Sequence, residues 1–301
     1  MSAQPTSPAR ERTLIVDFIE PFVRGRLRRH EIVRVTAQNE RCHLRSFADA
    51  NPRVPVAKLD VRHVRRWLES IQHLAPNTRR RRWSTVHGFC EDLVQDGHLA
   101  RDPTLKMRAP RIPRTVPRAL GAADVARVLN ACPDVRARLI TMMMVQLGLR
   151  CGEVASLERG DIDWARGLVR ITGKGAHQRI LPLVDEARSA LGEYLIVYPG
   201  AGGPLIRNHH PGRAGEGVSA DTVSGIMSRI MWDAGVKRGR RDGVSAHALR
   251  HTAATDILRA GANLRDVQTI LGHSHIVTTE VYLPYVVHDL GEAMNGRKYG
   301  A

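Results

Sequence analysis

The chain has 301 residues, with 46 Lys and Arg against 30 Asp and Glu and a formal charge of +16. That length suits two modest domains rather than one core, and the charge points to a polyanionic partner, nucleic acid or an anionic membrane surface. The longest apolar region, 139–149, is broken by Thr141, Gln146 and Gly148, and no charged start followed by an apolar run opens the chain, so it reads as neither secreted nor membrane-spanning.

Aromatic residues are 4% of the chain, so the interior must be built from Leu, Val, Ile, Ala and Met. Only Lys58, Lys106, Lys174, Lys237 and Lys298 are lysines. Nearly all the positive charge is therefore arginine, whose planar fork suits phosphate, although biased genomic base composition gives the same excess. Cys42, Cys90, Cys132 and Cys151 lack paired metal-ligand spacing and read as reduced thiols.

Residues 1–12, with Ser2, Pro5, Ser7 and Pro8, read as a flexible tail. Helical periodicity predicts helices over 13–26, 36–50, 61–71 and 77–96, punctuated by Pro52, Pro55 and Pro76, which make one small bundle over 13–100. The last of these helices opens with Arg79, Arg80, Arg81 and Arg82, and Trp83, Val86, Phe89, Leu93 and Val94 form a buried stripe behind them. The arginine run is expected to face outward, as a solvated face or against DNA phosphates, which relieve the repulsion of four like charges. Residues 101–117, with Pro103, Pro110, Pro113 and Pro117 among basic residues, read as an extended linker in which Arg111 and Arg114 are candidates for contact with a DNA backbone.

Beyond the linker a second domain is expected over 118–285, with helices at 122–131 and 135–147, the second almost wholly apolar. Short strands are predicted at 168–172 and 179–183 around Gly173-Lys174-Gly175, with a third near Ile162, giving a small antiparallel sheet in a mainly α fold. Helices resume at 186–197, 220–234, 247–260, 264–271 and 278–283, and residues 286–301 form a tail.

Arg150 follows the apolar helix at a glycine-marked turn, with Glu153 three residues on, so its guanidinium can emerge at a fixed point. Ser245 reads as a helix N-cap, with His247 and Arg250 on one face of that helix near its start, where two donors and the helix terminus can converge on an anion. Leu271-Gly272-His273 ends one helix and Thr278-Thr279-Glu280-Val281-Tyr282 starts another, which brings His273 and Tyr282 onto adjoining elements. Each pair alone also suits a surface or structural role.

Arg150 with Glu153, Lys174 in a Gly-flanked hairpin, His247-x-x-Arg250, Leu271-Gly272-His273 and Thr279-x-x-Tyr282 occur in the order and approximate spacing of the tyrosine recombinase (phage integrase) family. The chain resembles a compact, two-domain, Xer-like member, with 77–103 resembling the last helix of that family's helical core-binding, SAM-like bundle. The resemblance implies a site-specific recombinase that breaks and rejoins DNA through a 3′-phosphotyrosyl bond without ATP or metal. Arg150 and Arg250 would hold the scissile phosphate, His247 and His273 would donate hydrogen bonds or move protons, Lys174 would protonate the leaving 5′-oxygen, and Tyr282 would attack phosphorus.

The same resemblance implies double-stranded DNA as partner, a homotetramer on paired DNA sites, no cofactor, a cytoplasmic location and integration or excision of a phage or other mobile element. Resolution of chromosome or plasmid dimers is the alternative errand. One rival nucleophile and one departure stand out. Tyr285 shares the helix face of Tyr282 as a rival nucleophile, and Leu283-Pro284 follows the tyrosine where the family often has a polar residue. The tail 286–301 is expected to dock on a neighbouring protomer or on its own domain. His209, His210, His251 and His275 read as supporting or solvent-facing.

Three other readings remain open. A type IB topoisomerase would use the same chemistry to swivel one strand. A DNA-binding protein would keep the basic surface with idle chemistry. A metal-dependent nuclease would need acidic ligands, for which Glu153, Asp161 and Asp163 are the clustered candidates.

Overall fold

The computed structural model describes residues 13–113, 118–173, 175, 177–200, 202–239, 242–272 and 282. The chain divides into two compact units, Met1–Arg114 and Thr115–Ala301.

The first unit is helical: α1 (Ile15–Arg28), α2 (Arg34–Asp49), α3 (Val61–Ser70) and α4 (Pro76–Gln95). Buried Ile15, Ile19, Phe22 and Val23 recur at helical spacing on α1, and burying that stripe holds the helix to its neighbours. Phe22 meets Phe89 of α4 edge-on with ring centroids 5.3 Å apart, and Phe47 of α2 meets Trp67 of α3 at 5.4 Å in the same way. Asp60 starts α3 by accepting the amides of Arg62 and His63. α4 starts one residue before the expected position because Pro76 takes the first helical turn, where its missing N–H costs nothing.

The segment after α4 begins as part of this unit. The Thr104 amide and hydroxyl both donate to Asp102 Oδ1, at 2.7 and 2.6 Å, and the hydroxyl oxygen lies 2.5 Å from His87 Nδ1 on α4. Met107 and Ala109 pack against the same core. The proline pattern announced an extended chain, but the Asp102 turn folds its first residues back onto α4.

The second unit packs around α6 (Val135–Gln146), in which Leu139 to Val145 are all buried. α5 (Ala122–Asn130), α8 (Asp185–Val197), α9 (Ala220–Asp233) and α10 (Ala246–Arg259) surround it. The sheet is antiparallel in the order β1 (Ile162–Asp163), β2 (Leu168–Thr172), β3 (Gln178–Pro182), with Val169 opposite Leu181 and Ile171 opposite Arg179. α11 (Leu264–Leu271) is capped by Asn263 and ends at Gly272 in the left-handed conformation.

One further helix, α7 (Cys151–Ser156), has no counterpart in the sequence-based expectations, since six residues are too few to show a period. Ser245 stands at the N-cap of α10 as expected, yet its side chain makes no capping hydrogen bond. The expected helix at 278–283 lies outside the described residues apart from Tyr282. No described helix is long and apolar enough to cross a membrane.

The turn between α6 and α7 is sterically tight. Gly148 has φ +63°, and a Cβ there would sit 2.7 Å from Leu271 Cδ2 and 3.6 Å from Ala253 Cβ. Gly148→Ala should therefore destabilise the protein by about 1–3 kcal/mol through strain and overpacking, read as a lower thermal unfolding midpoint.

Candidate active site

The site is assembled where α6 gives way to α7. Arg150 occupies the N-cap position of α7, with its backbone N–H donating to Glu153 Oε2 at 2.9 Å and its Nη1 to Oε1 at 2.7 Å. Arg179 on β3 donates Nη1 to Oε1 and Nη2 to Oε2, both at 2.9 Å, and Arg250 on α10 brings Nη1 to 3.6 Å from Oε2. One carboxylate, 4% exposed, thus holds three guanidiniums. Burial alone would push the Glu153 carboxyl up, but the Arg179 hydrogen bond, the Arg150 amide and the charges of Arg179 and Arg250 hold it below its ordinary value, so it stays ionised.

Arg250 is itself buried, and donates Nη1 to the Gly148 carbonyl at 2.5 Å and Nη2 to the Leu271 carbonyl at 2.6 Å. Desolvation and the neighbouring Arg150 pull its pKa down to about 10, which still leaves it charged at neutral pH. Arg150 Nη1 reaches the same Leu271 carbonyl at 3.4 Å. The end of α11 and the α6–α7 turn are therefore tied together by two arginines through main-chain oxygens.

A cleft of about 550 Å³ opens over this network, lined among others by Arg150, Glu153, Thr172, Gly173, Ser224 and His247. His247 has its pKa lowered by burial and then by Arg250 and Arg150, which favours the neutral imidazole. Tyr282 is 2% exposed, packed with Ala254, Leu258, Val267 and Leu271, and its Oη lies 2.9 Å from His251 Nδ1.

The His251 pKa is lowered to about 4 by burial, with His247 and Arg250 adding to it. A depressed histidine pKa stabilises the fold fully above the unfolded value, about 6.5, and that contribution is lost as pH falls toward 4. The unfolding midpoint of His251→Gln should consequently fall less than that of the wild type between about pH 7 and pH 5; parallel curves would contradict this.

Comparison with known proteins decides the family. Residues 118–285 match the model described as "Phage integrase family". The chain is 31% identical over 286 residues to tyrosine recombinase XerC of Xanthomonas campestris pv. campestris, covering 92% of this chain and 86% of that one. The chain belongs to the phage integrase family of tyrosine recombinases. Its fold is similar to that of a lambda integrase dimer bound to a COC′ core site, with TM-score 0.77, 17% identity, and coverage of 100% of this chain and 85% of the other. It is also similar to that of the Tn1549 transposon integrase in complex with circular intermediate DNA, with TM-score 0.74, 17% identity, and coverage of 95% and 100%.

In this tyrosine recombinase, the structure brings Arg150, Glu153 and Arg250 into one network beneath the cleft that His247 lines, and places Tyr282 against His251. Lys174, His273 and Arg114 lie outside the described residues. Arg179 was not anticipated, although a charge alternating with Leu181 on the core-facing side of a strand breaks the period-2 pattern and is a readable signal. His251 is half-buried, with its Nδ1 2.9 Å from the Tyr282 phenol, which suits a supporting place better than a solvent-facing one.

The arginine run is corrected in part. Arg80, Arg81 and Arg111 are exposed, but Arg79 and Arg82 are half-buried and Arg82 Nη1 donates to Ser46 Oγ at 3.0 Å. Four successive residues step about 100° each around a helix and cannot all face outward. For the nuclease reading, Glu153 is taken up by arginines, Asp161 accepts Arg170 Nε at 3.0 Å, and Asp163 accepts the Arg166 amide. That donor set does not suit a divalent ion.

Proposed function

We propose that this recombinase cuts and rejoins double-stranded DNA at specific sites through Tyr282, working as a homotetramer on paired sites in the cytoplasm. The observation that carries the reading is the convergence of Arg150 and Arg250 on the buried Glu153 beside a cleft lined by His247. Two fixed guanidiniums suit the non-bridging oxygens of a phosphodiester, and they are held before substrate arrives, so little reorganisation is needed as charge builds on phosphorus.

Tyr282 Oη then attacks phosphorus and passes its phenolic proton to one of the site histidines, His247 or His273, while the P–O5′ bond breaks and its electron pair leaves on O5′, which takes a proton from Lys174. His247 and His273 donate to the phosphate or move protons. The 3′-phosphotyrosyl bond keeps the phosphodiester energy, so a 5′-hydroxyl from another duplex reseals the strand without ATP. Arg80, Arg81 and Arg111, with Arg114 and the partly buried Arg79 and Arg82, supply phosphate contacts that position the duplex.

Integration or excision of a mobile element is the first errand proposed. Whole-length similarity to XerC favours a second, resolution of chromosome or plasmid dimers. The chemistry is tested by incubating the protein without divalent metal on a nicked suicide substrate carrying its site, then mapping the linked peptide by mass spectrometry. A nucleotide adduct on Tyr282 is expected; binding without any adduct would leave a DNA-binding protein instead.

A further inference from the structure

Arg179 is a charged residue on the inward side of the sheet, sharing that side with Leu181 and Val169, and its side chain is only 10% exposed. Nothing in the proposed chemistry uses it. It does not line the cleft, and its guanidinium is fixed by three hydrogen bonds: two parallel ones to Glu153 at 2.9 Å each, and Nε to the Ile270 carbonyl at 2.7 Å.

These contacts join three pieces of chain. β3 continues from the turn that contains Lys174, and that turn is closed by the Gly173 amide on the His177 carbonyl at 2.8 Å, with Thr172 paired to Gln178 beside it. Ile270 belongs to the last turn of α11, which stops at Gly272 immediately before His273. Glu153 is the anchor of Arg150. Gly272 has φ +61°, and a Cβ there would lie 2.9 Å from Arg179 Nη1, so the helix end and the guanidinium are packed without slack.

We infer that Arg179 is a positioning residue that ties the described ends of the β2–β3 connection, Gly173 and His177, to Glu153 and the end of α11, and so governs protonation of the leaving 5′-oxygen by Lys174 rather than phosphate binding. A bidentate fork fixes direction as well as distance, and a strand transmits that fixed direction to the turn one register step away. The inference rests on Lys174 acting as the general acid in the proposed function.

The test replaces the bridging 5′-oxygen of the suicide substrate with sulfur. A thiolate leaves as the anion and needs no proton, because a thiol is far more acidic than an alcohol. Single-turnover adduct formation is compared for wild type, Arg179→Gln, Arg179→Lys and Lys174→Ala on both substrates, with DNA affinity and unfolding midpoint measured for each. On the oxygen substrate Arg179→Gln should be slower by about 10²-fold with affinity within about twofold of wild type, and the sulfur substrate should restore most of that loss, as it does for Lys174→Ala. Arg179→Lys, which keeps the charge but loses the fork, should show a smaller deficit rescued the same way and guards against misfolding of the glutamine variant.

A deficit equal on both substrates, or no deficit, overturns the positioning role while leaving Lys174 in place. Failure of sulfur to rescue Lys174→Ala instead removes the general acid on which the inference stands. A wild-type protein that forms no adduct removes the tyrosine chemistry itself.

Discussion

Tyr282→Phe should bind its DNA site as tightly as the wild type and form no covalent adduct, a rate loss of at least about 10⁴-fold, the order found when a nucleophile is removed. The structure separates this loss from stability. The phenyl ring can fill the same space among Ala254, Leu258, Val267 and Leu271, and the hydrogen bond with His251 is lost at a cost of about 1 kcal/mol. Adduct formation on the nicked substrate, run beside thermal unfolding and a binding titration, separates the two effects. If the variant still became linked to DNA, Tyr285, three residues further along the sequence, would be the nucleophile.

Glu153→Ala should have the largest effect on folding. Arg150, Arg179 and Arg250 share that carboxylate, and all three are held close to one another by it and by the carbonyls of Gly148, Ile270 and Leu271. Without it three guanidiniums face one another at a buried position, a penalty of about 3–5 kcal/mol against a total stability of the order of 5–15 kcal/mol. Glu153→Gln keeps the shape and one acceptor and should lose less. The vacated position should also attract anions, so phosphate should raise the unfolding midpoint of Glu153→Ala more than that of wild type. A midpoint within a degree or two of wild type would show that the arginines hold their places without the carboxylate.

Much of this site could be read directly from the sequence because its parts lie at element ends, where glycine and capping residues leave marks. Gly148 before Arg150 and Gly272 at the end of α11 are such marks, and the expected helix 264–271 matches the observed Leu264–Leu271. The pairings were not legible. Glu153 was noticed as the neighbour of Arg150, but its bond to Arg179 joins residues from a helix and a strand, and no local pattern encodes that. The role of His251 is hidden for a similar reason: its partner lies at Tyr282, a separation that only tertiary packing closes. The arginine run misled in the opposite way, since composition shows charge but not the angle at which each residue leaves α4.

The acceptor that Arg150 and Arg250 share at the end of α11 is the single carbonyl oxygen of Leu271, not a side-chain group. Every amino acid supplies the same carbonyl, so the identity of residue 271 can drift among apolar side chains that fill its buried space, while the fork beneath the cleft keeps its acceptor. The chemistry of binding is thereby written into the path of the main chain. What cannot drift is the one residue that lets the chain leave that path at a left-handed angle, Gly272.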